Sequence, residues 1–262
     1  MTTVASARNL IQTAELPALE AFQADAPTGG GMPAFDINKD QALVVGADVV
    51  SFTIGVEPDF RQALADSSLF AQLVALRKVG ANADPMVFFD AYFQTLLGLG
   101  WIVQQRDTGQ ISNDGGGLDV HQAIIGTITA FLSPIAGAAA AVIAVLDGLH
   151  QMNKDAPFIT LFNKQSTHEH LGRFQLTYVH NDAAMGLVAD VMAFALDADS
   201  RITQILFFKI TSSKVKLSRS NAKLSIDTNA LQEIRPNLAA KVKAFRKSLI
   251  AEADLGPAPG EN

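Results

Sequence analysis

The chain has 262 residues, 48% of them hydrophobic and 18% charged, no cysteine, and a formal net charge of −6. That apolar fraction is too high, and the charge too small, for a disordered chain; a domain of this length buries roughly three-quarters of its unfolded surface. The missing cysteine excludes disulfides, thiolate metal sites and a cysteine nucleophile.

In chain order, a first helix is predicted over about residues 5–22, inside an N-terminal helical segment 1–24. Residues 25–40 read as a Gly/Pro-rich linker, 41–252 as a single α+β domain, and 253–262, with Pro257 and Pro259, as a disordered tail. Gln41–Val56 is rich in β-branched residues and reads as one strand. Pro58 suits the first turn of a helix carrying Phe60, Leu64, Leu69, Leu73 and Leu76, with a break expected near Ser67-Ser68. Asp84 and Pro85 pair an N-cap with a proline at the first helical position; Met86, Phe89, Phe93 and Leu96 then follow at helical spacing. Trp101–Asp107 reads as a strand.

Ala123–Leu146 carries no charge over 24 residues, long enough to span a bilayer. Ser133-Pro134 interrupts it and no Lys or Arg stands close by, so it is read as two short apolar helices in a buried hairpin, with a conditional membrane inserter as the alternative. Five strands are then predicted: Phe158–Lys164, Gly172–His180, Leu187–Leu196, Ile202–Ile210 and Lys214–Ile226. Their short turn-rich separators imply an antiparallel meander, because parallel strands need long crossovers. Leu187–Leu196 is apolar on both alternating faces apart from Asp190, so it is covered on both sides. Leu238–Ala251 closes the chain as an amphipathic basic helix that docks on the sheet or lies on an anionic membrane.

Charge is unevenly spread. Residues 1–200 hold 9 basic and 21 acidic side chains, whereas 201–250 hold 11 basic and two acidic. This asymmetry fits either an anionic partner or internal neutralisation of the basic third by the acidic remainder. Nucleic acid is the weaker partner, since the basic region lacks interleaved arginines and stacking aromatics. The start of the chain lacks the continuous apolar core of a secretory signal, so a soluble protein is expected, either kept in the cytoplasm or released by another route or by cell lysis.

Candidate chemistry is sparse. His168-Glu169-His170 could place two imidazoles on one strand face, but no third ligand is placed and a polar surface loop is the plainer reading. Asp190 is a buried polar candidate, either for acid–base work or for pairing with a nearby basic strand. The glycine runs at 29–31 and 115–117 lack dinucleotide-binding or P-loop spacing. No catalytic residue, metal or cofactor is expected.

The apolar helical pair leads into Ala156–Gln165 (APFITLFNKQ), then Ile202–Ile210 (ITQILFFKI) and the alternating Lys214–Ile226 (KVKLSRSNAKLSI). This arrangement, over about residues 118–226, resembles the C-terminal half of the cytolytic (Cyt) δ-endotoxins, and the whole-chain layout is similar to the Evf-type bacterial virulence factor. The resemblance implies an α+β fold in which an antiparallel β-sheet meander is sandwiched between layers of α-helix hairpins. It also implies a non-enzymatic, insecticidal or virulence protein of bacterial origin that acts at a target-cell membrane, with lipid as partner and a homo-oligomeric pore as product. The positions that would take the membrane-contact role are Phe158, Phe162, Phe207, Phe208, Lys209, Lys214, Lys216 and Lys223. The Evf-type protein carries a lipid on a cysteine, which this chain lacks, so no lipid anchor is carried over. A soluble factor that binds lipid or acyl chains without forming pores stands as the alternative.

Overall fold

The computed structural model describes residues 2–23, 27, 29–113, 118–151, 156–168, 170–198, 202, 209–210 and 215–253. The N-terminal helix is shorter than its apolar pattern suggests. α1 (Val4–Thr13), whose N-cap Thr3 side chain accepts from the Ser6 N–H, ends before Pro17, and α2 (Glu20–Gln23) is one separate turn. The run 41–56 is likewise not one strand. Gly46 takes φ +59° in the left-handed region, where a side chain is strained, and reverses the chain between β1 (Gln41–Val45) and β2 (Asp48–Phe52). A Cβ on Gly46 would also stand 2.5 Å from Gln72 Oε1 and push that amide from the Ala47 N–H it accepts from.

α3 (Pro58–Val79) runs unbroken through Ser67-Ser68. Both hydroxyls are accommodated without ending the helix: Ser67 Oγ donates to the Ala63 carbonyl one turn back, sharing that acceptor with the backbone, and Ser68 Oγ donates to Asp48. α4 (Pro85–Gly98) starts as predicted, with Asp84 accepting from the Met86 N–H at 2.7 Å. β3 (Ile102–Asn113) and the short β4 (Leu118–Asp119) follow. The uncharged run forms α5 (Val120–Leu132) and α6 (Ala138–Gln151), a hairpin with its break at Ser133-Pro134 as expected. It buries one stripe, including Ile124, Ile128, Leu132, Val142 and Leu146, and leaves Gly126, Thr129, Ala130 and Ala140 exposed. Among the described residues no helix is long and apolar enough to cross a membrane.

The first strand predicted for the meander is a correction: 158–164 lies in a helix, α7 (Pro157–Ser166). Proline at its first position marks a helix start, and Phe158, Leu161, Phe162 and Gln165 share helical spacing. Then come β5 (Thr167–His168), β6 (Leu171–Asp182), β7 (Gly186–Ala198), β8 (Lys209–Ile210), β9 (Val215–Ile226), α8 (Thr228–Leu249) and β10 (Ile250–Ala253). A second correction concerns Ile202–Ile210. β7 pairs directly with β9, while β8 pairs with β4 in a separate ribbon. Residues 203–208 lie outside the described residues.

The main sheet runs β10-β1-β2-β6-β7-β9-β3, with β5 against β6. Every joint is antiparallel except β2–β6, which is parallel. The protein is thus α+β, with β6 covered by helices on both faces, while the edge strand β3 is largely exposed from Ile102 to Gln110. On one face lie α3 and α4; on the other, α6 and α7 lie against β6. α8 packs along α3 and α1 rather than on the sheet, burying Leu231, Ile234, Leu238, Val242 and Phe245. It begins at the Asp227 N-cap, ten residues ahead of the predicted start, because it carries Pro236 within it.

Candidate functional site

Side chains alternate across a strand, so register assigns each residue of β6 and β7 to a face. Thr177 donates to Asp48 at 2.9 Å, and Asp48 accepts from Ser68 of α3; this places Gln175, Thr177, Ala189, Val191 and Ala193 on the α3–α4 face. Phe174 meets Phe162 of α7 at 6.1 Å between ring centroids and stacks on Phe194 at 5.0 Å. The α7 face therefore holds Phe174, Leu176, Tyr178, Val188, Met192, Phe194 and Leu196, all buried. The β6–β7 hairpin thus has one face of large apolar side chains and one of small or polar ones.

Asp190 interrupts the apolar face near the hairpin's turn. It is wholly buried, and register sets it between Tyr178 on β6 and Lys223 on β9. Its Oδ2 lies 3.0 Å from His180 Nε2 and its Oδ1 3.8 Å from Lys223 Nζ; Oδ1 makes no hydrogen bond among the described residues. Tyr178 rests its ring 5.5 Å from the imidazole, and burial, with Asp40 and Asp190 near, pushes its hydroxyl pKa up. An aspartate–histidine pair can hold an imidazole for proton transfer. Tyr178 carries the hydroxyl on the ring beside the imidazole; Ser225, two strands from His180 in register, accepts from Gln104 Nε2 at 2.7 Å. The cluster brings a carboxylate, an imidazole and an ammonium group together in one largely buried polar site. The sequence offers His180, with Asp190 and a lysine, as the cluster that would favour an enzyme on an unfamiliar scaffold, and the β6–β7 and β7–β9 registers are what bring the three together.

A second buried carboxylate is not among the sequence candidates. Asp48, at the start of β2, accepts from Ser68 and Thr177, and Tyr92 donates to Ser68 Oγ at 3.3 Å. Burial outweighs those two donors and pushes Asp48 up to about 7. Its signal in the sequence is a lone aspartate inside an otherwise apolar β-branched run.

The predicted contact residues scatter. Phe162 is buried in α7 against Phe174; Phe158 lies in the same helix, not on a strand. Lys209 falls in β8, Lys216 is exposed on β9, and Lys223 turns inward to Asp190. Phe207, Phe208 and Lys214 lie outside the described residues. Internal neutralisation accounts for part of the basic third. Arg219 pairs with Asp107 at 2.6 Å, Lys223 with Asp190, Arg235 with Asp59, and Arg246 with the buried Asp66. His168 lies in β5 and His170 is exposed in the turn after it, while Glu169 lies outside the described residues. Among the described residues no three His, Asp or Glu side chains come together as metal ligands.

No family model matches the chain, and no curated protein matches it. Three solved structures are similar in fold. A δ-endotoxin is 15% identical with a TM-score of 0.42, over 70% of this chain and 84% of that one. The activated Cyt2Ba monomer from Bacillus thuringiensis subsp. israelensis is 15% identical with a TM-score of 0.39, over 68% and 97%. The Evf virulence factor is 9% identical with a TM-score of 0.31, over 90% of each chain. These are the two kinds of protein that the sequence resembles.

Proposed function

We propose that this protein is a non-enzymatic, membrane-active toxin or virulence factor that permeabilises lipid bilayers as a homo-oligomer, inserting the β6–β7 hairpin. The observation that carries the reading is the two-faced character of that hairpin. Its strands have 12 and 13 residues, against the 9–11 that a tilted strand needs to cross the hydrocarbon. One face offers Phe174, Leu176, Met192, Phe194 and Leu196 to lipid, and the other offers Gln175, Thr177 and small residues to water. On β6 this is the alternation of a membrane strand, whereas β7 sets Ala189, Val191 and Ala193 on the water face and Asp190 on the lipid face. His180 and Asp190 sit near the turn, where an inserted hairpin meets the far headgroups rather than the bilayer centre. Unpaired backbone groups are prohibitive in hydrocarbon, so hairpins from several copies must close into a ring.

The absence of native cysteine makes the test direct. Single cysteines at Gln175, Thr177, Leu176 and Met192 are introduced, and vesicles containing a trapped dye are treated with each variant. Dye release is expected at micromolar protein. A charged thiol reagent then labels the cysteines at 175 and 177 and leaves those at 176 and 192 unlabelled. Intact vesicles, or labelling without period two, would sink the reading. The alternative, a soluble factor holding an acyl chain in its core, needs more room than cavities of about 10 and 30 Å³ among the described residues offer.

A further inference from the structure

Arg173, on β6, is 6% exposed, and its guanidinium lies 3.8 Å over the Phe88 ring of α4. It makes one hydrogen bond, from an Nη1 N–H to the Ala81 carbonyl at 3.2 Å, and no ion pair among the described residues. A guanidinium has five N–H donors, and an enclosed cation without a counter-charge is costly. Arg173 lines a partly open cavity of about 30 Å³ together with Phe22, Leu69, Leu73 and Leu76 and the amides of Gln72 and Gln165.

The two amides differ. Gln72 is committed: its Nε2 donates to the Val45 carbonyl and to Ser68 Oγ, and its Oε1 accepts from the Ala47 N–H. Gln165, half-buried on α7, makes no hydrogen bond among the described residues and can donate into the cavity. We propose that this cavity is a binding site for a small aliphatic carboxylate, held by Arg173 in a two-pronged contact and by the Gln165 amide. The volume has room for about two water molecules, enough for a carboxylate head. A planar carboxylate matches the fork of the guanidinium, and the leucine and phenylalanine walls suit an alkyl group. A phosphate dianion would need more donors than these walls supply. Burial pushes the Arg173 pKa down to about 10, so the group remains charged at neutral pH and gains from a counter-ion.

Thermal unfolding of the full chain in sodium acetate, propionate, phosphate or chloride, at matched ionic strength, tests the assignment. Acetate and propionate are expected to raise Tm saturably, with chloride and phosphate showing no saturable effect. Arg173→Gln should abolish the rise, and Gln165→Leu should weaken the apparent affinity by about tenfold, the loss of one hydrogen bond to a charged group. If Arg173→Gln does not fold, Leu76→Trp, which fills the cavity from a half-buried position, must remove the carboxylate response instead. A common response to all four anions, a phosphate response exceeding the carboxylate one, or an unchanged response in Gln165→Leu overturns the proposal. None of these readouts depends on membrane activity.

Discussion

Asp48, Asp66 and Asp190 are all fully buried, and each is held differently. Asp66 accepts from both Arg246 nitrogens, yet burial outweighs that partner and pushes it up to about 6. Asp48 has only neutral donors and rises to about 7. In both, the folded state holds the proton more tightly than the unfolded chain, so stability is full below about pH 4 and falls as pH climbs towards 7. Denaturant midpoints should therefore drop between pH 4 and 7.5. Asp48→Asn should flatten that drop by a few kcal/mol, on the order of 1.4 kcal/mol for each tenfold gain in proton affinity on folding, leaving the smaller part due to Asp66. A profile rising over that range would contradict the assignment. Asp190 has two basic partners, His180 and Lys223, where Asp66 has one and Asp48 none. Asp190→Ala leaves His180 and Lys223 facing an empty buried site, and a loss of about 3 kcal/mol is expected in urea unfolding. A loss under about 1 kcal/mol would mean that the pair is already hydrated.

Elements are legible where their end signals are local. Asp84-Pro85 and Ser133-Pro134 mark their boundaries by residues that change the backbone's own options, so the start of α4 and the α5–α6 break can be read directly. α7 reads as a strand because a short apolar run of Phe, Ile and Leu suits either state; its Pro157 start is the better guide. The N-terminal half of α8 is hidden by Pro236, which lacks the N–H that would donate to the Gln232 carbonyl. Pro236 is exposed, so the helix keeps it without losing a core contact. Pro236→Ala restores the missing bond and is expected to raise stability by about 1 kcal/mol, net of the extra freedom given to the unfolded chain. Thermal unfolding measures this, and an unchanged or lowered Tm would show that the proline's rigidity outweighs its missing bond.

At the level of the whole molecule, the β6–β7 hairpin is held on both edges, by the parallel joint to β2 and the antiparallel joint to β9. Under the proposed function it must leave both. Ala193 and Ser220 stand directly opposite in register, both buried and small, at a spacing that a disulfide bridges. A double variant with cysteine at both positions should release no dye from vesicles when oxidised and recover on reduction. Full release by the oxidised form would mean that β7 and β9 enter the membrane together.

By itself the sequence determined the α+β order of elements, the period-two strands of β6, β7 and β9, the apolar helical pair, and Asp190 as a polar group inside an apolar strand. These follow from local chemistry: spacing, capping residues and turn formers act within a few residues. Tertiary structure alone decided the parallel β2–β6 joint that brings Asp48 to Thr177, the direct β7–β9 pairing, and the meeting of His180, Asp190 and Lys223. It also decided that four cations of the basic third, Arg219, Lys223, Arg235 and Arg246, are spent on internal acidic partners. Register and sheet order are set by which faces bury together across long separations, and a slip of one residue would turn every side chain to the opposite face.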